Sequence, residues 1–522
     1  MAADLSRRGL LDVLGSVGAA TLTLKAMGLL PVPIVFATAP VLPADSGRGK
    51  SVAVLGAGIA GLVSTLLLRR AGYQCTVLEA RTRPGGRVWT LRSGDTIEEM
   101  DSTQKVDWES DPDLYFNAGA ARLSHHHLGI LGYCRELGVA LEPFINDNRA
   151  ALIQIDSEFS GEPQRIARLQ ADMRGAVAEL AARSAPIDGS LDGLLRNFGA
   201  LTKDMTYLGS SRAGFASPKT FPAAGTQRGK LQRPIPIGDI ARVNEARILA
   251  NALTFLESWN QAPTMLQPVG GMDRIVYALE KAIGGEVAYG HEVEQILRLG
   301  ERAGIVSRDR RAGTIVRTEA DYVVCTIPLP VLKSIRADFS PAVQHAIEQG
   351  AATYGAATKV AFAAAPRWWE LDDRIYGGIS WTSRDINQLW YPSHGIQSSK
   401  GILVGAYIWE DEAARRYAVL SPAGRRAAAI ADGERLHPGY GAKVGASTSV
   451  AWSKVPYSLG AWAEWDFTPG ARETIYPVLL PPDGPFHFAG EHMSYVTGWQ
   501  EGAVQSAHYT VGQIAERVKA GR

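Results

Sequence analysis

Residues Ser51-Val52-Ala53-Val54-Leu55-Gly56-Ala57-Gly58-Ile59-Ala60-Gly61 decide the fold. The first five read as a short buried strand. Three glycines follow with the spacing Gly-x-Gly-x-x-Gly, and Leu62-Val63-Ser64-Thr65-Leu66-Leu67-Leu68 continues as an apolar helix. A second strand, Gln74-Cys75-Thr76-Val77-Leu78, ends at Glu79. Strand, glycine turn, helix, strand and acid in this order form a dinucleotide-binding unit. Gly56 permits the tight turn, Gly58 lets the backbone approach a pyrophosphate, and Gly61 lets the helix pack close to the strand. The helix N-terminus offers free N–H groups and a partial positive charge to that pyrophosphate. Glu79 is placed for ribose hydroxyls, and its charge disfavours a 2′-phosphate.

Outward from this unit the chain is ordinary for a globular protein. It has 522 residues, enough for two to four domains, with 46% hydrophobic and 20% charged residues. That excludes disordered, collagen-like and fibrous chains. Lys and Arg number 54 against 53 Asp and Glu, a net charge of +1. Such a balance offers no field for nucleic acid or an anionic membrane as main partner. Three cysteines make no disulfide scaffold and lack zinc spacing. His125-His126-His127 are consecutive on one element, so they do not converge on one ion, and no metal is expected. At the N-terminus, Ser6-Arg7-Arg8-Gly9-Leu10-Leu11 precedes an apolar stretch and then Ala37-Thr38-Ala39. This resembles a twin-arginine export signal over residues 1–44, which implies a periplasmic or secreted protein. The alternative is an N-terminal helix packed on the surface of a cytoplasmic one. Asp12 and Lys25 interrupt the apolar run, so stable membrane insertion is not expected.

After Glu79 comes Ala80-Arg81-Thr82-Arg83-Pro84-Gly85-Gly86-Arg87. Here the sequence resembles the FAD-dependent amine oxidase family, and most closely its bacterial L-amino-acid oxidases and amino-acid 2-monooxygenases. The likeness runs from residue 50 to the C-terminus through Asn117-Ala118-Gly119-Ala120-Ala121-Arg122, Pro268-Val269-Gly270-Gly271-Met272-Asp273, His291-Glu292-Val293, Thr358-Lys359-Val360, Phe488-Ala489-Gly490-Glu491-His492 and Gly498-Trp499-Gln500-Glu501-Gly502. It implies an α/β chain, α+β overall. A Rossmann-like FAD-binding domain would be assembled from 50–130, 260–345 and 455–522. A mixed-sheet substrate domain would span 345–455, with strands near 358–364, 377–382, 388–391 and 403–409. A helical subdomain would span 131–259, with helices near 128–137, 166–183 and 240–256 and a loop or lid around 210–239. It also implies that FAD is held by Gly56, Gly58, Ile59, Ala60, Gly61, Glu79, Ala80, Arg81, Gly86, Arg87, Gly119, Ala120, Ala121, Arg122, Val293, Glu491, Gly498 and Trp499. By the same likeness the assembly is a dimer or higher homo-oligomer.

Departures from the pattern sharpen the expectation. The stretch matching the cysteine that carries covalent FAD in monoamine oxidases is Gly460-Ala461-Trp462-Ala463-Glu464-Trp465, without cysteine, so FAD should be non-covalent. Ala463 matches the tyrosine of the family's aromatic amine cage. Arg122 matches the arginine that grips a substrate carboxylate, a geometry suited to guanidinium. The expected reaction is oxidation of an L-amino acid with O2 and water to a 2-oxo acid, ammonia and H2O2, by hydride transfer from the α-carbon to FAD N5. Arg122 and Tyr391 would hold the carboxylate, since one of Trp390 and Tyr391 must face the pocket by strand alternation. Trp499 would wall the site, the Gly498 backbone would accept from the amino group, and Lys359 would sit beside the flavin. Rival readings are an amide-forming 2-monooxygenase, an oxidase of amines without a carboxylate, and a non-catalytic FAD scaffold.

Overall fold

The computed structural model describes residues 39–184, 189–215, 230–236, 239, 252–465 and 469–521. The export-signal stretch before residue 39, much of the expected lid and most of the expected helix at 240–256 lie outside the described residues.

The glycine unit sits in a five-stranded sheet. Its strands run Val287–Tyr289, Gln74–Glu79, Ser51–Leu55, Tyr322–Cys325 and Phe486–Phe488, and every pairing is parallel. Alternation along Ser51–Leu55 explains its fully apolar sequence. Val52 and Val54 face one cluster with Leu62, Val63 and Leu66 of the helix Ile59–Arg70 and with Val504, Ala507 and Val511 of the helix Gln500–Lys519. Ala53 and Leu55 face a second cluster with Ile296, Ile305 and Phe486, on the side of an antiparallel sheet built from His291–Leu299, Arg302–Asp309 and Thr314–Ala320. A parallel sheet needs both faces covered, and here both are.

A seven-stranded mixed sheet forms the other body. Its order is Gln164–Arg165, Leu152–Gln154, Gly378–Thr382, Gln388–Tyr391, Gly401–Ile408, Thr358–Ala364 and Ser447–Ala451. In Thr358–Ala364, Val360, Phe362 and Ala364 enter a core with Ala429 and Leu436 of the helix Pro422–Leu436. Lys359 and Ala361 take the opposite face, toward the dinucleotide-binding half.

Two strands of this sheet come from the stretch expected to be helical. Leu152–Gln154 pairs in parallel with Trp381 and Thr382, and Gln164–Arg165 pairs with it in turn. Strands of three and two residues carry no periodicity, and long-range pairing alone defines them. The helix expected at 166–183 is Ile166–Ser184, and that at 128–137 is Leu128–Glu136. His127 stands at the start of the latter, where Glu501 accepts from the free N–H groups of Gly129 and Ile130 at 3.1 and 2.8 Å. Among the described residues no helix is long and apolar enough to cross a membrane, and no cluster of His, Cys, Asp and Glu could hold a metal ion.

Candidate active site

A cavity of about 930 Å³ runs from the glycine turn to the face of the mixed sheet that carries Lys359. Its first half is built by the three glycines, each for a different physical reason. Gly56 has φ +106°, a conformation that side chains resist. A Cβ on Gly61 would stand 2.0 Å from the Gly56 carbonyl oxygen, so this glycine sets the contact of helix with strand. A Cβ on Gly58 would meet nothing within 4 Å, because it would project into the cavity. That is the cradle a pyrophosphate needs: open space over a bare backbone at the mouth of a helix.

Glu79 is 4% exposed at the end of its strand. Its carboxylate accepts from Ala57 N–H at 2.8 Å and from Arg81 N–H at 2.9 Å, which ties the glycine turn to the second strand. Arg81 and Arg87 line the cavity beside it. Burial opposes the charge of Arg87, but the Glu491 carboxylate at 2.7 Å outweighs it and holds this guanidinium above its ordinary pKa. Arg83 hangs on the carbonyls of Pro84 and Gly86, and burial pulls it down to about 9. Volume, glycine cradle and buried guanidinium groups fit a dinucleotide with its two phosphates.

The far half is aromatic and cationic. Arg122 lies with its guanidinium carbon 4.5 Å from the Trp390 ring centre, 5.7 Å from those of Phe255 and Trp499, and 5.9 Å from that of Phe144. Its Nε and Nη1 are wholly buried without a hydrogen-bond partner, and burial pulls it down to about 10. Among the described residues no carboxylate pairs with it. Lys359 is 3% exposed, and its Nζ donates to the carbonyls of Asn117 and Gly119 at 3.1 and 2.6 Å. Burial first, and the charge of Arg122 second, push Lys359 down to about 7. Trp499 follows Gly498, whose N–H donates to Glu491 at 2.9 Å, and stacks edge-on against His127 with ring centres 4.8 Å apart.

Of the site residues named from the sequence, all but two line this cavity. Gly61 stands behind it as the packing contact just described. Tyr391 is a correction. Its hydroxyl lies in the core of the mixed sheet, 2.8 Å from Ser380 Oγ and 2.6 Å from His437 Nε2, and His437 in turn pairs with Asp373 at 2.9 Å. Trp390 takes the cavity face instead, on the same side as Gln388, whose Oε1 accepts its indole N–H at 2.7 Å. The pairing with Gly378–Thr382 sets which face is which, and that register is invisible in a four-residue strand.

The phenol that lines the cavity beside Lys359 is Tyr407, which the sequence reading missed. It pairs in register with Lys359, and its ring centre is 4.7 Å from the lysine Nζ. Cross-strand neighbours share a face, and Tyr407 lies opposite Lys359 on the next strand, a pairing that only the fold reveals. Ala463 is fully buried against Tyr354, away from the cavity, and Trp462 lines it instead. Gln261, also missed, lines the cavity with its Oε1 buried and unpartnered.

The chain resembles known proteins over most of its length. The family model for flavin containing amine oxidoreductase matches residues 59–515. An L-amino-acid oxidase of Siganus canaliculatus is 28% identical over 475 residues, covering 87% of this chain and 83% of its own. A flavin-dependent L-tryptophan oxidase, RebO, of Lentzea aerocolonigenes is 28% identical over 511 residues, covering 89% and 98%. The solved structure of cyclohexylamine oxidase from Brevibacterium oxydans superposes with a TM-score of 0.60 at 17% identity, covering 90% of this chain and 99% of its own, which shows a shared fold.

Proposed function

The chain belongs to the flavin-containing amine oxidoreductases and takes FAD, and we propose that within this family it is an L-amino-acid oxidase. The observation that carries the reading is Arg122: a buried guanidinium, boxed by rings and without an acidic partner among the described residues. A buried cation left unpaired is costly, and an α-carboxylate at the same place would complete it. The 28% identical relatives that act on L-amino acids support the same assignment.

Arg122 then binds and orients the carboxylate, and Tyr407, lining the cavity beside it, is placed to donate to the same group. Trp390 and Trp499 exclude water and fix the plane in which the substrate lies. Gly498, held through its N–H by Glu491, accepts from the amino group through its carbonyl. Lys359, anchored on two carbonyls, keeps its third N–H direction for the cavity. Bound FAD supplies the two-electron acceptor for the α-hydrogen and returns the electrons to O2. The overall reaction takes L-amino acid, O2 and water to 2-oxo acid, ammonia and H2O2. None of the cysteines, Cys75, Cys134 and Cys325, lines the cavity, which favours non-covalent FAD. The Arg7-Arg8 segment supports export by the twin-arginine route, which carries proteins already folded around their cofactor.

Replacing Arg122 by Met tests the reading. Truncating one partner of a buried charge pair costs about 2–5 kcal/mol, roughly 30- to several-thousand-fold. kcat/KM for phenylalanine should fall by that factor, and that for phenethylamine should hold or rise. Equal losses for both would assign Arg122 to FAD binding or folding and remove the carboxylate from the account. An amide in place of the 2-oxo acid, read by mass detection, would move the enzyme to the monooxygenases.

A further inference from the structure

Resting on the reading that Arg122 takes a substrate carboxylate, we propose that the cavity rejects amino acids whose side chain carries a second cation. The observation is the set of charges at the substrate end. Arg122 and Lys359 both line it, and neither has an acidic partner among the described residues. Glu491, on the lining and hydrogen-bonded to the residue before Trp499, already accepts from Arg87 at 2.7 Å, from Ala463 N–H at 3.2 Å and from Gly498 N–H at 2.9 Å. The other acids on the lining, Glu79, Glu292 and Glu294, stand on the strand ends at the dinucleotide half. One α-carboxylate therefore compensates one of two cations and leaves nothing for a third.

The aromatic wall does not change this balance. Ring faces attract cations, but these faces are already taken. Trp390 lies 4.5 Å from the Arg122 guanidinium and 5.3 Å from Lys359 Nζ, and Tyr407 lies 4.7 Å from the same Nζ. Glu464 accepts the indole N–H of Trp462 and does not itself line the cavity. What remains for a side chain is ring surface from Trp462, whose indole N–H is already given to Glu464. A lysine ε-ammonium about 8 Å from a buried charge, at an effective dielectric of about 20, loses roughly thirty-fold in binding for each charged neighbour.

The test uses holoenzyme near neutral pH and substrates that differ only at the far end: L-norleucine, L-lysine and Nε-acetyl-L-lysine. Lysine should be at least roughly thirty-fold poorer in kcat/KM than norleucine, and acetylation should recover most of the loss. Two acids that cannot react, hexanoate and 6-aminohexanoate, are titrated by the perturbation of flavin absorbance, and the amino acid should bind the weaker by the same order. Lys359→Met removes one of the two charges and should narrow both gaps. Lysine within about three-fold of norleucine, with hexanoate binding well, would overturn the inference and leave the carboxylate reading standing; Glu464 would then be the acid that receives the ammonium. Failure of hexanoate to bind, with pentylamine oxidised better than norleucine, would overturn the carboxylate reading itself and this inference with it.

Discussion

Gly58 and Gly61 stand three residues apart in one motif, yet the structure separates their roles, and a pair of valine substitutions should do the same. At Gly58 the backbone is extended with φ −77°, which any residue adopts, and an added Cβ meets nothing within 4 Å. Gly58→Val should therefore fold as well as the wild-type apoprotein. Its side chain fills the space over the helix mouth and keeps a pyrophosphate from the backbone N–H groups. Two charge-assisted hydrogen bonds lost at about 1.5–3 kcal/mol each predict at least roughly a hundred-fold weaker FAD binding. At Gly61 a Cβ would stand 2.0 Å from the Gly56 carbonyl oxygen, 3.1 Å from its carbon and 3.3 Å from Val54 Cγ1. Those atoms are backbone and buried strand, so the helix must move. Overpacking of this kind costs about 1–3 kcal/mol, which for a chain of this length lowers the Tm of the apoprotein by roughly 1–3 °C before any cofactor is considered. The assay is a thermal melt of each apoprotein followed by titration with FAD, read by quenching of flavin fluorescence. Stoichiometric FAD with near wild-type affinity in Gly58→Val would refute the cradle. An unchanged melt for Gly61→Val would refute the packing argument.

The remaining predictions concern charge. Because burial and Arg122 hold Lys359 at about 7, its charge is lost as pH rises through neutrality. Hexanoate affinity should fall several-fold over the pH unit either side of 7, and Lys359→Met should abolish that dependence. The stability sign is opposite: the unfolded chain keeps this proton up to its ordinary pKa near 10.4, so the folding penalty is full below about pH 7 and is relieved as pH rises above it. Arg425 and Glu99 form a wholly buried bidentate pair at 2.8 and 2.7 Å that joins the hairpin Thr96–Glu99 and Ser102–Lys105 to the helix Pro422–Leu436. Arg425→Met should cost about 3–5 kcal/mol in urea unfolding. The double variant with Glu99→Leu should cost less than the sum of the two single ones, and strict additivity would show that the pair is not coupled.

The dinucleotide half was legible because its chemistry is local. The turn, the helix mouth and Glu79 lie within thirty residues, and backbone geometry dictates residue type at each glycine. The substrate half was legible only in part. Arg122 and Lys359 stand in recognisable strings. Which neighbours share their cavity depends on pairings between Gln388–Tyr391, Gly401–Ile408 and Thr358–Ala364, far apart in sequence. Trp390 and Tyr391 are equally good strand residues; the choice between them is made by Ser380, His437 and Asp373, which give the Tyr391 hydroxyl a satisfied place in the core. Tyr407, with no motif around it, enters the site because it faces Lys359 across a strand pair. Strands of two or three residues such as Leu152–Gln154 were missed for the same reason, since an external partner defines them.

Cofactor cradle and substrate wall are not independent structures. Glu491 receives Arg87 from the turn after Gly86, the N–H of Ala463 from a short strand, and the N–H of Gly498 immediately before Trp499. Gly119 packs against the same Arg87, since a Cβ there would lie 1.7 Å from the Arg87 carbonyl oxygen, and its own carbonyl holds Lys359. Arg87 thus lies against the groups that hold both the lysine and the tryptophan of the far half. Two wholly buried guanidinium groups elsewhere in the fold are paired: Arg425 with Glu99, and Arg367 with Glu370 at 2.6 Å. Arg122, buried on the lining of the far half, has no acidic partner among the described residues. A departure from local satisfaction, held in position by residues that are themselves satisfied, is the form a binding site takes when the missing partner is the ligand.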